Sequence, residues 1–350
     1  MKITSSLLLA ASLCVPLVAA AAEPDSCRTV RFSDVGWTDI TVTTAVTSKL
    51  LTSMGYRTKT NLISVPVTYK SLENKDIDVF LGNWMPTMEA DIKAYRDNGS
   101  VETVRANLEG AKYTLAVSQA AYDAGLKSFA DIAKFGKKLD NKIYGIEPGN
   151  DGNRLIQGMI DKNQFGLGQF KVVESSEAGM LSQVQRAERR NNWVVFLGWE
   201  PHPMNSRFKM KYLEGGDDVF GPNLGGATIY TNVRKGYVPE CANVGKLLTN
   251  LKFSLEMENA LMDAVLNGKK KPEQAATAWL KANTKTVESW LDGVTTFDGK
   301  PAMGAVKAAL AKAVDGDGRK SLNYLELLAD MAETNGAGER DIYSALLAAV

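Results

Sequence analysis

The chain has 350 residues, 45% of them apolar and 23% charged, with 41 basic and 40 acidic side chains and a net charge of +1. That composition excludes a disordered, collagen-like or fibrous chain and suits about two globular domains. Without a basic run or excess, nucleic acid is not an expected partner.

The first 22 residues stand apart. Lys2 supplies a positive start, Leu7 to Val18 is apolar, and Ala19 to Ala22 is a small-residue zone before Glu23. This is the pattern of a cleaved secretory signal peptide over 1–22, too short for a membrane anchor. Cys14 raises lipidation as an alternative, but Leu13 before it is a poor fit to that chemistry. Cleavage would remove one Lys and no acid, leaving 40 basic against 40 acidic residues. It would leave Cys27 and Cys241, an even pair in an exported chain, read as a disulfide with two buried thiols as the alternative. No later stretch is apolar enough to span a bilayer.

Beyond the leader, strands and helices alternate. Thr29 to Phe32 reads as a strand, followed by the loop "SDVGWTD" and a helix from Thr41 to Met54. "NLISVPV" reads as a strand, "YKSLENK" as a short helix, Ile77 to Leu81 as a strand and Thr87 to Asp97 as an amphipathic helix. A strand opens at Tyr113. The rhythm then repeats, with a helix in "KSFADIAKF", the strand and glycine turn "KIYGIEPGNDGN", a helix from Arg154 to Lys162, the strand "FKVVESS", the helix "EAGMLSQVQRAERR" and the strand "WVVFLGWEPHP". Helices follow from Pro239 to Leu291. Such βαβ alternation predicts an α/β fold with largely parallel sheets. Two lobes are expected, one from 23–113 and 205–300, the other from 114–204, with a C-terminal helical extension over 301–350.

"VFLGNWMP" at Val79 and "VFLGWEPHP" at Val195 are the same device used twice. Each runs an apolar strand into Gly, Trp and Pro, and ligands of open α/β sheets sit beyond the carboxyl ends of strands. Trp37, Trp84, Tyr113 and Trp199 all lie at strand ends or in loops, while Trp279 and Trp290 sit in helical patterns and are expected in the core. Electron-rich ring faces can surround a quaternary ammonium, a cation with no hydrogen to donate. Asp39 follows Trp37 by two, so in an extended loop it would point the same way; capping the next helix is the alternative. Asn150 could cap a helix or turn its amide into the cleft.

Catalytic sets find little support. His202 is the single histidine, which excludes a His-ligated zinc cluster, and no G-x-S-x-G accompanies it. Flanked by two prolines, it reads as a rigid-loop residue. The glycines of "EPGNDGN" match neither a phosphate loop nor a dinucleotide fingerprint.

The stretches "RFSDVGWTDI", "NKDIDVFLGNWMPTME", "AKYTLAV", "KIYGIEPGNDGNRLI", "VVESSE", "FLGWEPHPMN" and "GGDDVFGPN" resemble the periplasmic choline-binding proteins of ABC importers, within the glycine betaine/choline substrate-binding class. The resemblance covers about 23–308. It implies a two-lobe periplasmic-binding-protein fold of type II-like topology with a hinge cleft, in a monomer delivering its ligand to a membrane permease. It also implies a ligand box of Trp37, Trp84, Tyr113 and Trp199, with Asp39 and Asn150 as polar partners, no cofactor, no metal and no catalysis. Choline is favoured over glycine betaine because Asp39 would repel a carboxylate and the box stretches carry no basic side chain. Betaine, carnitine or an enzyme acting on a methylated amine are the alternatives. The stretch after about Leu310 has no counterpart in the resemblance. It partly fits a calcium loop from Asp315 to Glu326, but Arg319 and Lys320 stand where an oxygen ligand and Gly belong.

Overall fold

The structure, a computed structural model, describes residues 23–313. The leader expected over 1–22, the calcium-loop segment and the extension beyond 313 lie outside the described residues.

Nine strands form one mixed sheet. They are β1 (Thr29–Asp34), β2 (Arg57–Leu62), β3 (Val79–Met85), β4 (Val101–Ser118), β5 (Lys142–Tyr144), β6 (Lys171–Val173), β7 (Val195–Glu200), β8 (Met210–Tyr212) and β9 (Gly226–Arg234). The order is β2-β1-β3-β9-β4-β7-β5-β6, with β8 also on β4. Pairs β1–β2, β1–β3, β5–β6 and β5–β7 are parallel. Pairs β3–β9, β9–β4, β4–β7 and β4–β8 are antiparallel. The expectation of largely parallel sheets therefore holds at both flanks and fails in the middle. The physical reason is β4. It is 18 residues long, not the short strand expected from Tyr113, and its two ends serve different partners. Residues 101–112 pair with β9 and residues 112–117 with β7. The polar run "VETVRANLEGA" concealed the first half, because an antiparallel strand need bury only one face.

Along β4 the sheet divides into two halves. Because β8 pairs with residues 116–118 of β4 and Glu214 bridges to Ser128, the segment 205–225 sits with the second half. The next strand, β9, pairs with β3 and with residues 101–112 of β4. The apolar runs in β3 and β7 are buried along almost their whole length, as strands covered on both faces are.

The helices that bear on the site are α1 (Thr38–Ser53), α2 (Val65–Glu73), α3 (Glu89–Asp97), α4 (Asp151–Asp161), α5 (Glu177–Arg189) and α6 (Leu255–Leu266). In α1, Ile40, Val42, Val46, Leu50 and Leu51 are buried, and Gly55 at φ +92° follows its end. "NLISVPV" is not one strand. Leu62 ends β2, and Val65 starts α2 with Pro66 in its first turn, where the missing N–H costs nothing. Trp279 and Trp290 stack at 5.6 Å, and Trp290 is fully buried. Cys27 and Cys241 are joined by a disulfide that ties the start of β1 to the helices after β9. No helix among the described residues is long and apolar enough to cross a membrane.

Candidate ligand-binding site

Trp37, Asp39, Trp84, Tyr113, Ile146 and Trp199 line one cavity with about 250 Å³ of atom-free space. Five of the six residues expected in the box are on its wall.

The sheet brings three of the rings together. Tyr113 and Trp199 are direct partners in the β4–β7 ladder, their rings 6.3 Å apart and edge to face. Trp84 stands at the end of β3, 6.0 Å from the Tyr113 ring. Both strand-Trp-Pro devices end in a cis peptide bond, Met85–Pro86 and Glu200–Pro201. Trp37 comes from the turn between β1 and α1. Asp39 is not in an extended loop as expected. It lies in the first turn of α1, and helical geometry sends it to the same cavity as Trp37.

The polar edges of two rings are tied back. Trp37 Nε1 donates to Glu147 Oε1 at 2.8 Å, and Trp84 Nε1 donates to Asp39 Oδ2 at 3.2 Å. What these indoles leave for a ligand is face and apolar rim. Tyr113 donates its hydroxyl to Asn150 Oδ1 at 2.8 Å. Asn150 itself stands behind that ring and caps α4, its Oδ1 also accepting from the Asn153 N–H. Its amide donates to Glu147. Of the two roles weighed for Asn150, the helix cap is the one observed, and the residue is not among those lining the cavity. Gly152 makes the arrangement possible, since a Cβ there would lie 2.1 Å from the Tyr113 hydroxyl oxygen.

Asp39 is 5% exposed, and its Oδ1 has no partner among the described residues. Burial, and then the negative charge of Glu177, push its carboxyl up to about 7. Burial likewise holds Glu147 at about 7. Glu258 on α6 is buried near Asp39 and raised well above the usual carboxylate range, first by burial and then by Asp39. Asp78 shows the opposite design. It is 2% exposed but accepts from both Arg31 and Arg234, a structural acid with its charge matched. Around the cavity the acids have no such partner among the described residues. A buried cluster of this kind raises the potential for a cation and works against an anion.

Sequence reasoning missed Ile146, Glu147, Glu177 and Glu258 and set His202 aside. His202 is buried, 4.8 Å from the Trp199 ring. Its Nδ1 accepts from the Met204 N–H at 2.9 Å, which leaves Nε2 to donate to Glu177 Oε1 at 3.1 Å. Glu147 and Glu177 sat inside segments read for other reasons, a glycine turn and the start of a helix.

Residues 28–282 match the family described as the substrate binding domain of ABC-type glycine betaine transport systems. The chain belongs to this family. A solved ABC-transporter choline binding protein in complex with choline is 64% identical, with a TM-score of 0.82 over 82% of this chain and 100% of that one. An ABC-transporter choline binding protein in an unliganded semi-closed conformation is also 64% identical, with a TM-score of 0.76 over 82% of this chain and 99% of that one. The glycine betaine/carnitine transport binding protein GbuC of Listeria monocytogenes serotype 1/2a (strain 10403S) is 31% identical over 164 residues, which is 47% of this chain and 53% of that protein. The fold is that of the periplasmic binding proteins, and members of the family serve transport as substrate-binding proteins.

Proposed function

We propose that this chain is an exported receptor that captures choline between its two halves and delivers it to an ABC permease in the membrane, without chemical change to the ligand. The observation that carries the reading is the cavity itself. Among the described residues it combines three indoles and a phenol with one buried, unpartnered carboxylate oxygen, and its wall includes no Lys or Arg. Ring faces replace water around a trimethylammonium group without asking it for hydrogen bonds. Asp39 Oδ1 is the acceptor for the single hydroxyl at the other end of choline.

The scale is adequate. Seven heavy atoms at a ceiling of about −1.5 kcal/mol each allow roughly −10 kcal/mol, and micromolar binding needs only about −8 kcal/mol. The greater similarity of this structure to the choline-bound relative than to the semi-closed one supports reading the described conformation as closed. Trp37, Trp84, Tyr113, Trp199 and Asp39 contact the ligand in this reading, and Asn150 holds Tyr113. The leader over 1–22 sends the chain to the periplasm, where it works as a monomer.

One observation favours a second ligand. Asp39, held near 7, is partly protonated at neutral pH and in that form can donate to a carboxylate, so glycine betaine is the runner-up. Titration calorimetry with choline, betaine, carnitine and acetylcholine decides the ranking. Choline weaker than betaine would overturn the choline assignment. Proton NMR of choline incubated with the protein tests the absence of catalysis, since any new product resonance would contradict it.

A further inference from the structure

Helix α1 begins badly by its own sequence. Its N-cap position holds Trp37, a residue with no side-chain acceptor, and no side-chain cap comes from within the helix. The first N–H groups of a helix need partners, and a buried one left bare is costly. Thr38 is the residue concerned, and it stands between two wall residues, Trp37 and Asp39.

The missing cap arrives from 139 residues away. Glu177 Oε2 accepts from the Thr38 N–H at 2.8 Å, and Oε1 accepts from the Thr38 hydroxyl at 2.6 Å. Glu177 is 5% exposed and opens α5, which belongs to the second half of the sheet, whereas α1 belongs to the first. His202 donates to the same carboxylate and meets the Trp199 ring edge to face. A single path of contacts therefore runs from Trp199 through His202 and Glu177 to Thr38 and its two wall neighbours.

We infer that Glu177 is a closure-sensing positioning residue: it caps α1 in trans only when the two halves meet, and so makes the setting of Trp37 and Asp39 conditional on closure. In the open form the Thr38 N–H turns to water and Glu177 is solvated, so neither is stranded. In the closed form both lose water together and satisfy each other, and charge-assisted bonds of this kind are the strong ones. The energy of the cap then belongs to the closed state alone. It slows ligand escape and does nothing for first encounter. The inference rests on the reading that the halves close on a ligand.

Glu177→Gln tests it, because the amide keeps the shape but cannot accept from the Thr38 N–H and hydroxyl together as the carboxylate does. Stopped-flow tryptophan fluorescence with choline should give an association rate within about twofold of wild type and a dissociation rate roughly tenfold or more faster, the factor that goes with about 1.4 kcal/mol. The melting temperature of the ligand-free protein should not change, while the rise on adding choline should shrink. Thr38→Val should raise the dissociation rate less, and less again when Glu177 is already Gln. An unchanged dissociation rate, or an equal drop in melting temperature with and without choline, makes Glu177 an ordinary structural acid and overturns the inference. If wild type does not respond to choline, the ligand assignment has failed instead. The inference is then judged by pulsed dipolar distances between spin labels at Lys59 and Lys171: the short-distance population must fall in Glu177→Gln, and equal distributions reject it.

Discussion

The Trp84 indole N–H donates to Asp39 Oδ2 across 45 positions of sequence, while Oδ1 of the same carboxylate, on a residue of the cavity wall, has no partner among the described residues. The ring is thereby oriented by the one wall residue that carries charge. Removing either residue should damage the site in a different way. Trp84→Ala deletes a ring face and opens the wall to water. The expected loss is about 2–4 kcal/mol, or roughly 30- to 1,000-fold in Kd for choline. Titration calorimetry on protein verified as folded by circular dichroism is the measurement, and an unchanged Kd would exclude Trp84 from the ligand contact.

The pH dependence of binding separates the two ligand readings. A bound cation favours ionised Asp39, whose carboxyl sits at about 7 in the described conformation. Choline affinity should therefore rise with pH up to about 7 and flatten above it, by as much as tenfold per unit below that point if one proton is released. Asp39→Asn should bind choline weakly at every pH, with the slope gone. For betaine the protonated form can donate to the carboxylate, so its affinity should fall as pH rises. Calorimetry in two buffers of different ionisation enthalpy counts the protons released, and a flat choline profile would contradict the role given to Asp39.

The same acids set the pH dependence of stability of the described conformation. Asp39 and Glu147 at about 7 and Asp151 at about 6 keep their protons in the folded state over a range where the unfolded chain, near 4, has lost them. The folded state then binds more protons, so stability from these groups is greatest below about pH 4, where both states are protonated, and declines as pH rises from there through 7. Melting temperature should be higher at pH 5.5 than at 7.5, and Asp39→Asn should raise it at 7.5 while reducing the difference. A protein more stable at 7.5, with Asp39→Asn no better than wild type, would reject this assignment.

Gly152 offers a test of how Tyr113 is held. In most helices Gly→Ala stabilises by about 0.5–1 kcal/mol. Here the added Cβ would meet the Tyr113 hydroxyl at 2.1 Å and push the ring off Asn150. Gly152→Ala should lower choline affinity by roughly tenfold or more, with far-ultraviolet circular dichroism intact. Normal affinity in a more stable protein would mean that Tyr113 can move without consequence.

Reduction of the Cys27–Cys241 bridge should cost stability more than affinity. The bridge closes a span of 214 positions remote from the cavity. Its loss should lower unfolding free energy by about 2–5 kcal/mol, read from urea melts with and without reductant, while the Kd for choline stays within about twofold of the oxidised value. A large loss of affinity with little loss of stability would reverse that order.

The sequence by itself carried the chemistry of the wall. Trp37, Trp84, Tyr113 and Trp199 were legible because each breaks the local pattern, an aromatic residue at a strand end or loop where no apolar face requires one. Asp39 was legible beside Trp37, although for a geometry that proved helical. The cysteine pair was legible from compartment and parity.

What tertiary structure decided were the relations that no local pattern encodes. Backbone pairing across β4, whose two ends serve different partners, turned two expected parallel sheets into one mixed sheet. Asn150 went behind Tyr113 because its oxygen was already claimed by a ring hydroxyl and a helix N–H. Glu147, Glu177 and Glu258 acquired meaning only from burial beside other acids, since a carboxylate's cost depends on the water it loses and the charges it meets, and both are properties of the folded chain.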